Sequence, residues 1–157
     1  MSFQMSALPL DRFQELFALS EAALGARGAR RYVADHAPGF PCRVSLQDAA
    51  PGERVILVPY AHQPADSPYR ASGPIFVREL AMRAVPEPGE VPNLLRLRTL
   101  SVRGYSRHSM MVDATVVEGP QLEPAIEKLF ANSRVDYIHL HYAAPGCYAC
   151  RVDRVER

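Results

Sequence analysis

The sequence lacks any long apolar run. No stretch approaches the ~20 consecutive apolar residues that a membrane-spanning helix requires, so we expect no membrane partner. The start, MSFQMSALPLDRF, also lacks the basic leader and the uninterrupted apolar segment of a secretory signal. We therefore expect a cytoplasmic protein whose three cysteines are free thiols.

An excess of charge of one sign is missing as well. The 18 basic and 17 acidic residues leave a net charge of +1, and Lys128 is the only lysine. A domain that neutralises nucleic-acid phosphates usually carries a clear basic excess, so we predict no nucleic-acid partner. The run LLRLRTLSVRGYSRH is rich in arginine, but as a predicted strand it places these side chains on two faces, with Arg96 and Arg98 on one and Arg103 and Arg107 on the other.

Several motifs that identify a catalytic or phosphate-binding site are absent. The chain has no glycine-rich phosphate loop, no His-Glu-x-x-His and no Gly-x-Ser-x-Gly pattern. It also has no internal repeat and no low-complexity tract. We therefore expect no cofactor, and any function has to be argued from individual side chains.

What is present predicts one domain over residues 1–157, with a hydrophobic content of 48%. Two main helices are expected, one from the apolar stripe of residues 10–17 and one that opens at Gly119-Pro120 and carries its own apolar stripe, and a short helical turn capped by Ser20 is expected between them. Five β-type runs precede the last hairpin, at residues 31–34, 54–61, 73–79, 94–102 and 110–117. Many strands without regular strand-helix alternation indicate an α+β fold with mostly antiparallel sheet.

The closing stretch DYIHLHYAAPGCYACRVD predicts a hairpin around a proline-glycine turn. Its expected register pairs His141 with Cys150, so that His139, His141 and Cys150 share one face while Cys147 points to the other. Two cysteines on opposite faces cannot converge on one tetrahedral zinc ion, and a strand after the second cysteine does not lower a thiol pKa as a helix N-terminus does. The pattern therefore disfavours both a zinc knuckle and a redox pair.

The pair His139 and His141 stays open to three interpretations. The histidines lie on a solvated sheet face, they line a cleft, or they are two metal ligands. A metal site would need a third ligand, for which His62, Cys42 or Cys150 is available in the sequence. Of the three, the solvated face is the interpretation that we favour.

Other candidates lie in loops. Cys42 follows a proline-rich segment and precedes Arg43, and it is a candidate nucleophile if a histidine base lies nearby. A long polar segment, His62 to Gly73, contains Tyr69-Arg70, which we predict to orient an anionic ligand or to hold the loop. Buried packing is the competing interpretation for Cys42.

Several blocks carry a resemblance to a known family: RGARRYVAD, PGFPCRVSLQDAAPGE, YAHQPADSPYRASGPIFVRE, MMVDA and HLHYAAPGCYACRVDR. Together they resemble an uncharacterised bacterial family, the domain-of-unknown-function family 1203. The resemblance implies a small stand-alone domain and brings no activity, substrate or catalytic residue.

We favour a cytoplasmic enzyme or binding protein with a small-molecule pocket between the Cys42 loop, the His62–Arg70 loop and the His139/His141 strand. The candidate catalytic residues are Cys42, His62, His139 and His141, and the candidate ligand-binding residues are Arg43, Tyr69, Arg70 and Cys147. Two alternatives remain, namely an interaction module or homodimer without chemistry, and a metal-binding protein that uses His139 and His141.

Overall fold

The computed structural model describes residues 2–156. Within them it contains eight strands, β1 (Ser2–Ser6), β2 (Arg30–Val33), β3 (Arg54–Gln63), β4 (Ala71–Arg78), β5 (Thr99–Tyr105), β6 (Met111–Glu118), β7 (Tyr137–Tyr142) and β8 (Tyr148–Val155). Three α-helices accompany them, α1 (Glu21–Ala26), α2 (Asn93–Arg96) and α3 (Leu122–Phe130). Short 3₁₀ segments cover Leu10–Arg12, Gln14–Ala18 and Gly119–Gln121. No helix in this part of the chain has the length and apolar character needed to cross a membrane.

The strands form two antiparallel sheets. One has five strands in the order β1-β8-β7-β5-β6, and the other has three in the order β2-β3-β4. A parallel bridge between Cys42 and Phe76 attaches the segment before β3 to the edge of the smaller sheet. The predicted α+β class with mostly antiparallel sheet is confirmed.

One face of the five-stranded sheet packs on α3 and forms the larger core. Pro120 lies in the 3₁₀ turn that leads into α3, and the predicted apolar stripe of this helix is buried: Leu122, Ile126, Leu129 and Phe130. These side chains meet the core face of β5, β7 and β8. The other face of the same sheet meets β3, and this contact positions the site described below.

The first predicted helix takes another form. Residues 10–18 make two 3₁₀ segments with i→i+3 hydrogen bonds, although the predicted apolar side still buries Phe13 and Leu16. A stretch this short gains little from α-helical propagation, so packing decides its geometry. The next turn behaves as expected, since Ser20 caps α1 by accepting a hydrogen bond from the Ala23 N–H.

The predicted strand over residues 94–102 is wrong in its first half. Residues 93–96 form α2, and the strand begins only at Thr99. Leu94 and Leu95 are adjacent and both buried, a pattern that a half-buried strand cannot satisfy because successive side chains leave opposite faces. As a result Arg96 pairs with Glu123 of α3, and Arg98 turns towards Asp48 instead of sharing a strand face with Arg96.

Candidate functional site

The structure divides the predicted site residues into separate groups. His62, His139 and His141 come together between the two sheets, whereas Arg43 and Cys147 meet at the hairpin turn. The remaining three, Cys42, Tyr69 and Arg70, belong to neither contact. The predicted single pocket that joins all three segments is therefore two distinct regions.

We name the first region the histidine cluster: His62, His139, His141 and Tyr148. His139 and His141 project from β7 on one face, and the ring of His62 lies 6.2 Å and 4.9 Å from theirs between centroids. Tyr148 of β8 stacks on the His62 ring at 5.6 Å with an interplanar angle of 11°. The four rings fill the contact between the two sheets.

Placing His62 in a loop was wrong. The strand β3 continues to Gln63 through a register shift between Tyr60 and Gln63, and only residues 64–70 form the connection to β4. The hydrogen bond from Gln63 Nε2 to the Tyr137 hydroxyl, 2.8 Å long, holds this end of β3 against β7. The polar sequence resembles a loop, and the β7 residues that this end of β3 packs against lie far away in the chain.

The solvated-face interpretation of the two β7 histidines is also wrong. His139 is 3% exposed and His141 is 1% exposed, and all six residues of β7 are buried. The strand has α3 and its neighbours on one face and the end of β3 on the other. Alternation of polar and apolar residues therefore does not mark a solvated face in this strand.

The predicted position of Cys150 is a further correction. In the structure Leu140 pairs with Cys150 and His141 pairs with Tyr148, so Ala149 is an extra residue in β8. This bulge turns Cys150 to the core face, where burial raises the pKa of its thiol to about 12. Cys150 is therefore a buried thiol, and Tyr148 occupies the face where we expected a cysteine.

Burial keeps the histidine cluster neutral. Desolvation lowers the pKa of His139 to about 3 and that of His141 to about 4, and it also lowers the pKa of His62. The Nδ1 of His141 lies 3.0 Å from the Gly146 carbonyl, which only accepts, so Nδ1 carries the proton and Nε2 keeps its lone pair. Nε2 of His141 and the Nδ1 atoms of His62 and His139 have no hydrogen-bond partner within residues 2–156.

The cluster does not have the geometry of a metal centre. Over the part of the chain that the structure describes, no group of three or more histidine, cysteine or acidic side chains is arranged to hold a metal ion. The cluster holds neutral lone pairs away from solvent, and His62 is its half-buried member.

The second region, the arginine pocket, has Arg43 at its base. The Arg43 side chain is 1% exposed, and its Nε donates to the Tyr148 carbonyl at 2.7 Å. One Nη donates to the Pro41 carbonyl and the other donates to the Cys147 sulfur at 3.1 Å. No acidic side chain within residues 2–156 forms an ion pair with Arg43.

An aromatic ring compensates part of the positive charge of Arg43. The Arg43 guanidinium lies 5.0 Å from the ring centre of Tyr142, and the guanidinium of Arg98 lies 5.2 Å from the same centre. Arg98 in turn makes a bidentate contact with Asp48, at 2.5 and 3.0 Å. Burial raises the pKa of the Tyr142 hydroxyl well above its ordinary range, so the ring between the two cations stays neutral.

The cavity above Arg43 has a volume of about 430 Å³. Its walls come from residues within 38–43, from Phe76, from Arg98 and Thr99, and from residues within the hairpin turn 142–147. Most of these contribute apolar atoms, and among the described lining residues there are two arginines and no acid. An apolar cavity with a few convergent polar groups is the usual form of a small-molecule site.

Sequence reasoning missed Arg98 and Tyr142 as members of this pocket. Arg98 lies in the arginine-rich run LLRLRTLSVRGYSRH, but the predicted strand placed it on one face with Arg96 and indicated no pocket. Tyr142 directly follows His141, and its neighbours in the hairpin were the only signal for it. Neither residue is distinctive without the fold, because their common partner Arg43 lies far away in the chain.

Cys42 is fully buried outside both regions. Its sulfur accepts backbone N–H groups from Ser45, at 3.4 Å, and from Arg78, at 3.3 Å. These contacts hold the turn after Cys42 against the end of β4. The geometry thus agrees with a packing role and gives the thiol no access to either region.

Tyr69 and Arg70 lie in the loop between β3 and β4. The Tyr69 ring contacts the Tyr105 ring edge-on, with 6.0 Å between the ring centroids. The Tyr105 and His139 ring centroids are 5.2 Å apart, so Tyr69 adjoins the outer side of the histidine cluster. Arg70 is exposed. Ser67 anchors this loop by donating to the Ser109 carbonyl at 3.0 Å. The loop does not line the arginine pocket.

Comparisons with known proteins give one match. The family described as "Protein of unknown function (DUF1203)" matches residues 39–154, a range that contains the histidine cluster and all of the described lining of the arginine pocket except Pro38. No curated protein and no solved structure matches the chain.

Proposed function

Because the chain belongs to the DUF1203 family, whose description names no activity, we propose a function from the geometry alone. The protein binds a small molecule through an anionic group, a carboxylate in the first instance, in the arginine pocket. The observation that carries this proposal is Arg43, a buried guanidinium that faces a cavity and has no acidic partner in the described chain.

The charge of Arg43 is the first step of the argument. Removing a cation from water is costly unless it is paired, and buried charges in proteins are nearly always paired or bound to a ligand. Two carbonyls, a thiol and one ring offset this cost without neutralising the charge. A bound carboxylate supplies the missing negative charge.

The donors of Arg43 are the second step. A guanidinium has five N–H groups, and three of them are used by Tyr148, Pro41 and Cys147. Two N–H groups therefore remain, one on each Nη, and paired Nη donors are the geometry that binds a carboxylate through both oxygens.

The surroundings of the pocket favour the same class of ligand. Arg98 also lines the pocket but is paired with Asp48, so it is Arg43, without an acidic partner among residues 2–156, that leaves the local potential positive. The apolar walls bury the organic part of a ligand, which a free inorganic anion lacks. We therefore expect organic carboxylates to bind more tightly than sulfate or phosphate.

The test is a calorimetric titration of short organic carboxylates into the purified protein. Ala144 is exposed on the rim of the pocket, so Ala144→Glu adds a negative charge there without removing a core contact. We expect this variant to weaken binding by about tenfold through like-charge repulsion.

The matched control is Ala22→Glu, which makes the same substitution at an exposed position of α1 outside the pocket. It should bind as the wild type does. Equal affinity of the wild type and Ala144→Glu, or no binding of any carboxylate by the wild type, would contradict the proposal.

The proposed setting is the cytoplasm. All three cysteines are free, and the half-buried Cys147 contacts Arg43 through its thiol. A reducing compartment preserves this contact, whereas an oxidising one exposes the thiol to disulfide exchange. Fractionation of expressing cells should find the protein with soluble cytoplasmic markers, and recovery with secreted material would contradict this placement.

A further inference from the structure

A second cavity adjoins the arginine pocket. It has a volume of about 580 Å³ and shares Pro38 with the pocket as a wall. Asp48 lines this second cavity, and it is the partner of Arg98, which lines the pocket. The two spaces thus meet at Pro38 and the Asp48–Arg98 ion pair, and we name the second one the neighbouring cavity.

The neighbouring cavity exposes large apolar side chains. Val85 is 83% exposed and Leu97 is 58% exposed, and both line it together with the buried Leu94. Exposed apolar residues that line a concavity, unlike those scattered singly over a surface, mark a place where apolar material binds. The described lining of the arginine pocket contains no exposed valine, leucine or isoleucine side chain.

The charges of the two spaces are opposite. The described lining of the neighbouring cavity contains Asp48 and Glu90 and no basic residue, whereas that of the arginine pocket contains two arginines and no acid. A second anionic group in the neighbouring cavity would therefore be repelled. A ligand that spans both spaces has a single anionic end.

We propose that the ligand is a single-headed carboxylate with an aliphatic chain, an acyl-chain acid. Its carboxylate binds Arg43, and its chain passes Pro38 to lie against Val85 and Leu97. This inference rests on the proposed function and names the ligand class for the same site. The site has a cation at one end and exposed apolar surface at the other, and this combination favours an acyl-chain acid over a compact anion.

The chain length of the acid provides the measurable consequence. Each methylene that becomes buried against the neighbouring cavity increases affinity about threefold to fourfold. Affinity should therefore rise through the series butanoate, hexanoate and octanoate. Octanedioate places a second carboxylate near Asp48 and Glu90, so it should lose the gain of octanoate over butanoate.

The experiment is a calorimetric titration of this series, below the concentration at which the acids form micelles. The variant Val85→Asp should weaken octanoate binding by about tenfold, since it replaces apolar surface with a carboxylate that the bound chain would desolvate, and it should leave butanoate binding unchanged. The control is Val116→Asp, at an exposed valine of β6 that lines neither cavity. Octanol, which has the chain without the charge, should bind weakly or not at all.

Three results would overturn the inference while leaving the proposed function intact. These are equal affinities for butanoate and octanoate, a gain with chain length that survives Val85→Asp, and octanedioate binding as tightly as octanoate. If octanol binds as tightly as octanoate, the inference is also overturned, and the carboxylate charge then contributes nothing to binding at Arg43. If no carboxylate binds the wild type, the proposed function fails and the inference fails with it.

Discussion

The arginine pocket and the histidine cluster share Tyr148, yet burial acts on them in opposite directions. The Tyr148 carbonyl accepts a hydrogen bond from Arg43, while the Tyr148 ring stacks on His62. A guanidinium keeps its charge when it is buried and has to be compensated by its surroundings. An imidazole can release its proton, and the lowered pKa values of His139 and His141 show that this cluster is neutral.

The difference assigns separate properties to the two regions. The arginine pocket combines retained charge, spare donors and an open cavity, which are the requirements of an anion site. The histidine cluster combines neutral rings with ring nitrogens that lack hydrogen-bond partners within residues 2–156, and we expect it to make the stability depend on pH. We therefore propose ligand binding for the arginine pocket and expect acid sensitivity from the histidine cluster.

The largest expected effect comes from replacing the base of the pocket. Arg43→Met leaves the carbonyls of Pro41 and Tyr148 without their donor, and an unsatisfied buried acceptor costs about 1–3 kcal/mol, so we expect a loss of about 4 kcal/mol in the free energy of unfolding. Urea unfolding monitored by circular dichroism measures it. A loss below about 1 kcal/mol would mean that these hydrogen bonds contribute little to stability.

Acid should destabilise the protein through the histidine cluster. The ordinary histidine pKa of 6.5 applies when the chain is unfolded, and the folded values are about 3 for His139 and about 4 for His141. Between pH 6.5 and these folded values the unfolded chain binds more protons, so stability is complete above pH 6.5 and falls as the pH is lowered. We expect a loss of about 3 kcal/mol between about pH 7 and about pH 5.

Measuring the same pH dependence in a variant tests whether the histidine cluster causes the loss of stability. His139→Gln removes one buried titrating ring, so the loss of stability between about pH 7 and about pH 5 should shrink by roughly half. His108→Gln, at an exposed position outside the cluster, is the control. An unchanged pH dependence in His139→Gln would show that the acid sensitivity originates elsewhere.

A smaller effect should appear in the reactivity of Cys147. Cys42 and Cys150 are buried, so alkylation of the folded protein should modify Cys147 first. A carboxylate bound in the arginine pocket covers this thiol and should slow its alkylation by about tenfold at a concentration well above its Kd. Mass spectrometry of the modified peptide measures the rate, and equal rates with and without octanoate would place the ligand elsewhere.

The smallest expected effect concerns the turn that joins the two regions. Gly146 has a φ of +80°, and its carbonyl accepts a hydrogen bond from His141 Nδ1. Gly146→Ala meets no neighbouring atom, so the cost is conformational and should be about 1 kcal/mol. The variant should keep the acid sensitivity of the wild type, because the histidine cluster itself is intact. A changed pH profile would show that the turn controls the cluster.

Local patterns predicted several elements correctly because local interactions determine them. The stripe of α3 and the Ser20 cap of α1 depend on residues three and four positions apart. The closing hairpin was also expected from its turn residues. Such elements need little information from the rest of the fold.

The candidate site was predicted only in part because tertiary contacts decide it. The Ala149 bulge exchanges Cys150 for Tyr148 on the face of the histidines, and the extension of β3 brings His62 to them. Because β7 is covered on both faces, its alternation of polar and apolar residues does not distinguish a solvated face from a core face. Arg43 and Cys147 were both expected to bind a ligand, and the sequence did not indicate that they contact each other, because they lie 104 positions apart in the chain.

The most direct test of carboxylate binding at Arg43 is a crystal structure of the protein with octanoate bound. We predict that the carboxylate lies within hydrogen-bond distance of the Arg43 Nη atoms, beside Tyr142, with the chain directed past Pro38. A carboxylate bound at another position, with the Arg43 donors facing only solvent, would contradict it.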